Sequence, residues 1–320
     1  MEASAKSTVC VTGAGGFLAS WLVKLLLSGG RYAIRGTARD PGADKNAHLM
    51  AMEGACERLR LVKADMLDYG SVASAVAGCV GVFHVASPVP FGPCSDPEAD
   101  VIAPAVTGTL NVLKACHEAK VKRVVLVSSV AAVFNNPNWP KGKAFDEDSW
   151  SDEEYCRKIE EWYFLSKISA EREAFAYAAK TGLDIVSVCP CLVIGPLLQS
   201  TVPTSVKYFL GYIKGNQETV EGRAWCSGRA YRLPRTVREL SALEVSGRYL
   251  CSSNPIRVSD IMNILRSSYP TYSYPRSFLD VEHNITYNTE KLQKLGWNCR
   301  PIEETIRESV EHYQALGILN

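Results

Sequence analysis

Two residues four positions apart could move a proton. Tyr163 and Lys167 stand in the stretch EEWYFLSK, which has the pattern of a helix, and residues four apart share one helix face. Reduction of a carbonyl requires a hydride on carbon and a proton on oxygen. A free tyrosine, with a pKa of about 10, exchanges protons poorly at neutral pH, whereas a nearby ammonium favours its phenolate and lowers that pKa. The pair predicts a proton-transfer centre, although such pairs also occur on exposed helix surfaces.

A pair of serines offers a second polar group for this chemistry. Ser128 and Ser129 follow the apolar run RVVLV, which predicts a strand over Arg123–Ser128. Ligands of α/β proteins bind at the carboxyl ends of the strands, so we expect one of the two serines to hydrogen-bond a substrate carbonyl. The alternative role is that of a turn or cap residue.

A glycine-rich run near the start of the chain predicts a dinucleotide site. Residues 12–19 read TGAGGFLA and stand between a β-like run and a helical pattern. Gly13 permits a tight turn, Gly16 lets the backbone approach a pyrophosphate, and Ala19 allows close helix–strand packing, while the helix N-terminus faces the phosphates. The cofactor implied is a nicotinamide dinucleotide, whose oxidised ring would add to the effect of the lysine on the tyrosine.

The residues after the second strand favour NADP(H) over NAD(H). A carboxylate at this place would bind the ribose 2′-hydroxyl, and Asp40 is available for that role. However, Arg39 precedes it and offers a planar fork suited to a 2′-phosphate, and Lys45 adds a second positive charge nearby. We therefore predict NADP(H) as the cofactor; a solvated arginine beside Asp40 is the alternative.

Each of three further polar residues has two possible roles. Asp65 follows the third strand and either accepts a hydrogen bond from adenine or caps the next helix. His84 ends the fourth strand, where we expect a packed strand residue rather than a catalyst. Asn111 lies inside a helix, where asparagine is unfavourable; it either holds a water behind Lys167 or bridges two helices.

The elements that must position these residues alternate between strand and helix over the first 190 positions. The predicted strands are Ser7–Thr12, Tyr32–Ala38, Leu59–Ala64, Gly81–Ala86, Arg123–Ser128 and Leu183–Cys189. The predicted helices are Gly16–Ser28, Ala43–Ala55, Ser71–Ala77, Pro97–Ala119, Glu153–Thr181, Thr204–Lys214, Val258–Ser267, Thr289–Leu295 and Ile302–Leu316. This alternation predicts an α/β fold with a Rossmann-type, doubly wound parallel sheet over residues 1–190, and a smaller substrate-binding region over 191–320.

Composition and charge exclude several classes of partner. The 320 residues are 47% apolar, enough for a sizeable core, and carry a net charge of +1, which favours neither nucleic acid nor an acidic membrane surface. The N-terminus lacks the pattern of a signal peptide and no 18-residue apolar run follows, so we expect a cytoplasmic protein without a membrane partner. The 11 cysteines form no CxxC pair, and we expect no metal site.

Eight stretches of the chain resemble one group of plant enzymes. They are VCVTGAGGFLASWLVKLLL, RDPGADKNAHL, GVFHVASPV, RVVLVSSVAAV, WYFLSK, VCPCLVIGPLLQST, SGRYLCSS and YPTYSYP. Through them the chain resembles the cinnamoyl-CoA reductase and dihydroflavonol reductase group of extended short-chain dehydrogenases, most closely the cinnamoyl-CoA reductase-like proteins. The resemblance implies reduction of a small phenylpropanoid substrate by NADPH, from a cinnamoyl-CoA ester to the aldehyde, in lignin biosynthesis, by a monomer or weak dimer.

The resemblance also implies the site residues. It gives the catalytic roles to Ser129, Tyr163 and Lys167. It gives the binding of NADP(H) to Gly13, Ala14, Gly15, Gly16, Phe17, Leu18, Ala19, Arg39, Lys45, Asp65, Met66, Val85, Ala86, Ser87, Tyr163, Lys167, Pro190, Cys191, Leu192, Val193 and Ser205.

The surroundings of the tyrosine depart from the pattern of the cinnamoyl-CoA reductases. Those enzymes typically have NWYCYGK at this place, whereas this chain has EWYFLSK ending at Lys167. The tyrosine and the lysine remain, but the residues associated with thioester reduction do not. Free aromatic aldehydes or dihydroflavonol-like ketones are therefore an alternative class of substrate.

Residues 222–243 also depart from the pattern of the group. Its members usually have an apolar strand and a helix here, of the form VDVRDVADALLLAYE, packed on the cofactor domain, but this chain has five arginines between Gly222 and Arg238 and no apolar period. Because the pattern returns at Val245, we interpret the segment as a compensated frame shift, which translation of the other reading frames would test. Five arginines cannot replace a buried helix without a severe desolvation cost. We expect an exposed segment, a poorly covered core and, as an alternative function, a catalytically impaired paralogue.

Overall fold

Strands and helices alternate along the chain in the computed structural model, which describes residues 6–89, 94–215, 219–222, 227–229, 232–241, 245–252, 256–280, 285–298 and 301–320. The strands are β1 (Thr8–Val11), β2 (Ala33–Ala38), β3 (Leu59–Lys63), β4 (Gly81–His84), β5 (Arg123–Val127), β6 (Ile185–Pro190), β7 (Leu192–Ile194), β8 (Thr219–Gly222), β9 (Ser227–Arg229), β10 (Gly247–Cys251) and β11 (Ser277–Asp280). The helices are α1 (Phe17–Ser28), α2 (Ala47–Met50), α3 (Ala55–Arg58), α4 (Tyr69–Val76), α5 (Ala103–Glu118), α6 (Glu153–Lys158), α7 (Trp162–Thr181), α8 (Thr204–Ile213), α9 (Arg232–Leu240), α10 (Val258–Ser268), α11 (Glu290–Gln293) and α12 (Ile302–Ala315).

A parallel sheet of seven strands forms the centre of the structure, in the order β10-β6-β5-β4-β1-β2-β3. Apolar side chains cover both of its faces, as parallel sheets require. The chain runs outward from β1 to β3 and then returns to β4 on the other side of β1, so the direction of winding reverses between β1 and β4. Ligands bind at the carboxyl ends of the strands beside such a reversal. The predicted doubly wound, Rossmann-type sheet is confirmed.

The residues after 190 contribute both to this sheet and to a separate core. Strand β10 pairs with β6 and completes the sheet, while α8, α10 and α12 pack around Phe209, Leu265 and Tyr313. Two pairs of short strands, β7 with β9 and β8 with β11, complete this part. The division at residue 190 stays a prediction. Among the described helices, none combines the length and the hydropathy needed to cross a bilayer.

Two predicted helices are wrong because residues with positive φ interrupt them. The pattern over Glu153–Thr181 predicts one helix, but Glu160 adopts a φ of 58° and the Glu161 N–H donates to the Cys156 carbonyl, which closes α6. Helix α7 then begins afresh, so that Tyr163 lies in its first turn. In place of the predicted helix over Ala43–Ala55, the chain forms a 3₁₀ turn and the short helix α2. Gly54, with a φ of 74°, then separates α2 from α3.

The arginine-rich segment contains a helix that packs against α1, contrary to the expected exposure. Within α9, Thr236 and Val237 are buried, and Val237 belongs to the main core beneath the sheet. Arg235 remains exposed and pairs with Glu239 one turn later, at 2.7 Å. The physical reason is that Val237 faces the core while Arg235 faces solvent, so this arginine need not be desolvated. Residues 223–226, 230–231 and 242–244 lie outside the described part of the chain.

We expect Val237→Ala to lower the free energy of unfolding by about 2 kcal/mol, because it removes two fully buried methyl groups and leaves a cavity. Urea denaturation measures the change. The matched control is Arg235→Ala on the exposed face of the same helix, which should stay within about 0.5 kcal/mol of the unchanged protein. Equal stability of the Val237→Ala protein and the unchanged one would contradict the packing of α9.

Candidate active site

The glycine-rich run forms a tight turn between β1 and α1. Gly13 has a φ of 64°, and a Cβ on it would lie 3.1 Å from the Cβ of Ala86, so a larger residue would be both strained and crowded. The Gly13 N–H donates to Thr37 Oγ1 at 3.0 Å, and the Gly16 N–H donates to the Gly13 carbonyl at 2.9 Å. Helix α1 begins at Phe17. The N-terminus of α1 therefore follows directly on a tight glycine turn, an arrangement that can bind pyrophosphate.

A second glycine, which the sequence reading overlooked, lets β2 approach this turn. A Cβ on Gly36 would lie 2.8 Å from the Cβ of Ala14 and 3.0 Å from Leu61. Gly36 stands in the interior of β2, where glycine often marks a close approach of two backbone segments. That interior position was the available signal. The glycine turn and the second strand are thus packed directly on one another.

The predicted cationic residues lie exposed in the turn after β2. Arg39 and Lys45 are both exposed, whereas Asp40 accepts a hydrogen bond from the Gly42 N–H at 3.2 Å within its own turn. Asn46 is buried and donates to the Asp40 carbonyl at 2.7 Å, which holds the turn in shape. The arginine and the lysine are therefore accessible to an anion, while the carboxylate of Asp40 is engaged locally.

The hydrogen bonds of Asn111 and Asp65 bear on the two roles predicted for each residue. Asn111 Nδ2 donates to the Met66 carbonyl at 2.8 Å and so ties α5 to the loop after β3. The bridging role fits this contact, although the partner is a loop instead of a helix. Asp65 accepts from the Leu67 N–H, whereas the cap of α4 is Asp68, so the cap interpretation of Asp65 is wrong. Its contact with adenine stays a prediction.

Buried hydrogen bonds fix the loop that follows β4. Thr12 Oγ1 accepts from the N–H groups of Val85 and Ala86, at 2.9 and 3.0 Å. Its own hydrogen therefore points to His84 Nδ1, at 3.0 Å, and His84 Nε2 donates to Thr109 Oγ1, at 3.2 Å. Burial lowers the pKa of His84 to about 3 and keeps it neutral. His84 is a packed strand residue, as expected, and Thr12 and Thr109 are positioning residues that the sequence reading missed.

The segment after β6 runs beside α1. Pro190 ends β6, Cys191 is buried, and Leu192 and Val193 are half-buried in β7. Further along, the Pro196 carbonyl accepts from Trp21 Nε1 of α1 at 2.9 Å, which holds the segment against that helix. Ser205 lies in the first turn of α8.

Ser129, Tyr163 and Lys167 come together at the carboxyl edge of the sheet. Ser129 is buried directly after β5, and its side chain lies near enough to the Tyr163 hydroxyl to lower the pKa of that tyrosine. The Lys167 Nζ lies 5.7 Å from the centre of the Tyr163 ring, one helical turn further along α7. The neighbouring Ser128 points elsewhere and donates to Glu171 at 2.9 Å. The geometry thus favours Ser129, the second serine of the pair, as the partner of the tyrosine.

Burial controls the charges of the tyrosine and the lysine. It raises the pKa of Tyr163, and the nearby Ser129 side chain opposes only part of this rise. Burial also lowers the pKa of Lys167 to about 8, against the opposite influence of Glu171. The predicted lowering of the Tyr163 pKa is therefore not produced by the side chains alone. Near neutral pH the tyrosine is a phenol with a proton to donate, and the lysine is mostly an ammonium.

An aromatic cluster lies beside Val130, the residue that follows Ser129. Its members are Phe134, Trp139, Phe145, Phe164 and Tyr287. The rings of Phe134 and Phe164 meet edge to face at 5.5 Å, and Phe134 and Tyr287 also pack against Val130 and Cys191. Val130 follows Ser129, and Cys191 belongs to the predicted cofactor segment. A half-buried aromatic wall thus adjoins the residues that could reduce a carbonyl.

Comparisons with known proteins agree with this geometry. A profile of the NAD dependent epimerase/dehydratase family matches residues 9–232. Cinnamoyl-CoA reductase 1 of Petunia hybrida is 42% identical over 100% of this chain and 96% of its own length, and tetraketide alpha-pyrone reductase 1 of Arabidopsis thaliana is 40% identical over 99% and 98%. The crystal structure of vestitone reductase from alfalfa superimposes with a TM-score of 0.83 at 30% identity, over 98% of this chain and 100% of that one. The chain therefore belongs to the NAD dependent epimerase/dehydratase family, as an NAD(P)-dependent oxidoreductase of the extended short-chain dehydrogenase type that resembles the cinnamoyl-CoA reductases along its whole length.

Proposed function

We propose that this protein reduces the carbonyl group of a phenylpropanoid-type substrate with NADPH. The observation that carries the proposal is the convergence of three side chains: Ser129 lies near the Tyr163 hydroxyl, and Lys167 lies one turn away on the same helix as the tyrosine. These three groups lie at the carboxyl edge of the sheet, on the side where the direction of winding reverses. They supply a proton donor, a second hydrogen bond and a positive charge at one place.

The residues present fit a nicotinamide dinucleotide. A Cβ on Gly13 would crowd Ala86, and the N-terminus of α1, which begins directly after the glycine turn, can offer its N–H groups to a phosphate. We assign the remaining contacts to the loop after β4, to residues 190–193 and to Ser205. When bound, NADPH supplies the hydride.

The side chains of the protein supply the proton and the electrostatic stabilisation. Ser129 and Tyr163 donate hydrogen bonds to the carbonyl oxygen and so polarise it. Tyr163 then transfers its hydroxyl proton to that oxygen, a contribution of roughly 10²- to 10⁴-fold for a positioned general acid. The Lys167 ammonium stabilises the phenolate that remains, and its charge acts strongly because the site is buried.

Arg39 supports NADPH rather than NADH as the reductant. It is exposed next to Lys45 in the turn after β2, where a 2′-phosphate would receive two charge-assisted hydrogen bonds from a guanidinium. One oxygen of the neighbouring Asp40 carboxylate accepts from the Gly42 N–H. The two cations favour a negative 2′-phosphate.

The aromatic cluster supports an aromatic substrate. Its rings adjoin the segments of Ser129 and Cys191, and the relatives named above reduce cinnamoyl-CoA, a tetraketide pyrone and vestitone, as their names state. We take a cinnamoyl-CoA ester as the leading substrate. The hydride and the Tyr163 proton convert its thioester carbonyl to a hemithioacetal. The C–S bond of the hemithioacetal then breaks as its hydroxyl proton passes to the departing thiolate, which leaves the aldehyde and the free thiol. Phe164 stands where cinnamoyl-CoA reductases have cysteine, and this departure from their pattern makes free aromatic aldehydes or dihydroflavonol-like ketones the second candidate.

The alternative of an impaired paralogue depended on an uncovered core at residues 222–243. The burial of Val237 in that core argues against this loss for the described part of the segment. Activity of the purified protein remains the test.

We expect Tyr163→Phe to lower kcat/KM by about 10²- to 10⁴-fold, because the substrate oxygen loses its proton donor. The ring and the packing remain, so binding of NADPH should persist. Steady-state kinetics and fluorescence titration with NADPH measure the two effects. Tyr177→Phe, on the same helix but outside the site, is the matched control. Full activity of the Tyr163→Phe protein would exclude the proposed mechanism.

We expect Arg39→Ala to lower the ratio of kcat/KM for NADPH to that for NADH by about 10- to 150-fold, which corresponds to the loss of charge-assisted hydrogen bonds worth about 1.5–3 kcal/mol. Activity with NADH should change little. The exposed Arg60 on β3 provides the control variant Arg60→Ala. An unchanged ratio in the Arg39→Ala protein would show that the 2′-phosphate is bound elsewhere.

We expect oxidation of NADPH with at least one of three substrate classes: cinnamoyl-CoA esters, coniferaldehyde and dihydroflavonols. Parallel assays under identical conditions compare their kcat/KM values. Preference for the ester supports the leading candidate, and preference for the aldehyde or the ketone supports the second. NADPH binding without turnover of any of the three would favour the impaired paralogue.

A further inference from the structure

A buried glutamate lies one helical turn beyond the catalytic lysine. The side chain of Glu171 is only 1% exposed. Its carboxylate accepts hydrogen bonds from Ser128 Oγ at 2.9 Å and from Ser187 Oγ at 2.5 Å. Arg248 binds both oxygens, through Nε and Nη2 at 3.1 Å each. Every one of these partners donates, which matches an ionised carboxylate that can only accept.

We propose that Glu171 is a positioning residue of this active site: its carboxylate holds Lys167 in the ammonium form and fixes the strand end that carries Ser129. The inference rests on the proposed function, in which the lysine acts as a cation. Glutamate and lysine are four residues apart on α7 and therefore share one face of the helix. Because Ser128 immediately precedes Ser129, its bond to the carboxylate also anchors the end of β5.

The other titratable groups around Lys167 stay uncharged between about pH 6 and 9. On β4, burial lowers the pKa of His84 to about 3, so this imidazole is neutral. On β6, burial and the nearby glutamate raise the pKa of the Cys189 thiol, which stays protonated. On α7 itself, burial raises the pKa of Tyr163. The charge of the lysine therefore responds mainly to the ion pair behind it.

The positive member of the ion pair is fixed by contacts of its own, whereas Glu171 is the member that shares a helix face with Lys167. Arg248 of β10 donates through Nη1 to the carbonyls of Glu147 and Ser149, at 3.1 and 2.6 Å, and its guanidinium lies 3.8 Å from the Trp150 ring centre. Burial alone lowers the pKa of Lys167, and Glu171 opposes that effect. Removal of the carboxylate charge should therefore lower this pKa further and leave a neutral amine near neutral pH.

The direct test is the titration of Lys167 in the cofactor-free protein labelled with [13Cε]lysine, followed by NMR, with the signal assigned by a Lys167→Met variant. We expect a midpoint at about 8 for the unchanged protein and one lower by about one unit or more in Glu171→Gln. Glu173→Gln, an exposed glutamate on the same helix, should leave the midpoint unchanged. A midpoint within about 0.3 units of the unchanged protein in folded Glu171→Gln would overturn the proposal.

A second variant covers the case in which Glu171→Gln fails to fold. A buried guanidinium without its partner is strongly destabilising, so the double variant Glu171→Gln with Arg248→Gln removes both charges and leaves neutral polar side chains in their place. Circular dichroism and thermal melting establish whether each variant is folded. The double variant should also lower the Lys167 midpoint, and an unchanged midpoint in it would equally overturn the proposal.

The pH profile of kcat/KM separates this inference from the proposed function. Activity needs the ammonium, which is present below the pKa of Lys167 and lost as the pH rises through it. The alkaline limb of the profile should therefore move to lower pH in Glu171→Gln by the same shift as in the NMR titration. A limb that stays in place would contradict the role of Glu171 in the reaction. If the unchanged protein shows no reductase activity, the proposed function fails, and the NMR titration still decides whether Glu171 governs the lysine.

Discussion

The buried ion pair between Glu171 and Arg248 is the interaction on which the geometry of the site depends. It joins α7, which carries the tyrosine and the lysine, to β10 at the edge of the sheet, and serines at the ends of β5 and in β6 bind the same carboxylate. A buried pair of this kind is tolerated only when its remaining hydrogen-bonding groups are satisfied. Here groups on the elements that meet at the site satisfy them. The pair therefore links α7, β10, β6 and the end of β5.

Burial also acts on the charges of Tyr163 and Lys167. It disfavours the phenolate of Tyr163 and the ammonium of Lys167 alike, but the lysine has a carboxylate one turn away and the tyrosine has only Ser129. The two groups therefore both carry their proton near neutral pH. This is the combination needed for a donor and its electrostatic partner. An enclosed, polar site also strengthens every interaction with the developing charge.

Much of this arrangement could be predicted from the sequence, because it depends on local patterns. The apolar runs of the first six strands, the glycine turn at Gly13 and the order of serine, tyrosine and lysine along the chain all follow from residues close together. The features that the sequence did not predict depend on distant contacts or on single backbone angles. Arg248 is 77 residues from Glu171, and no local pattern joins them. The break at Glu160 needs a left-handed residue other than glycine, which composition does not reveal. The burial of Val237 was not predicted because charged residues surround it in the sequence and the segment has no apolar period.

The central claim is that these three side chains reduce a carbonyl at the edge of this sheet with NADPH. Its most direct measurement uses NADPH deuterated at either of the two C4 positions of the nicotinamide, with a phenylpropanoid carbonyl substrate and mass spectrometric and NMR analysis of the product. The account predicts deuterium at the former carbonyl carbon from one of the two labelled forms. Unlabelled product from both forms, or binding of NADPH with no product from any of these carbonyl compounds, would contradict it.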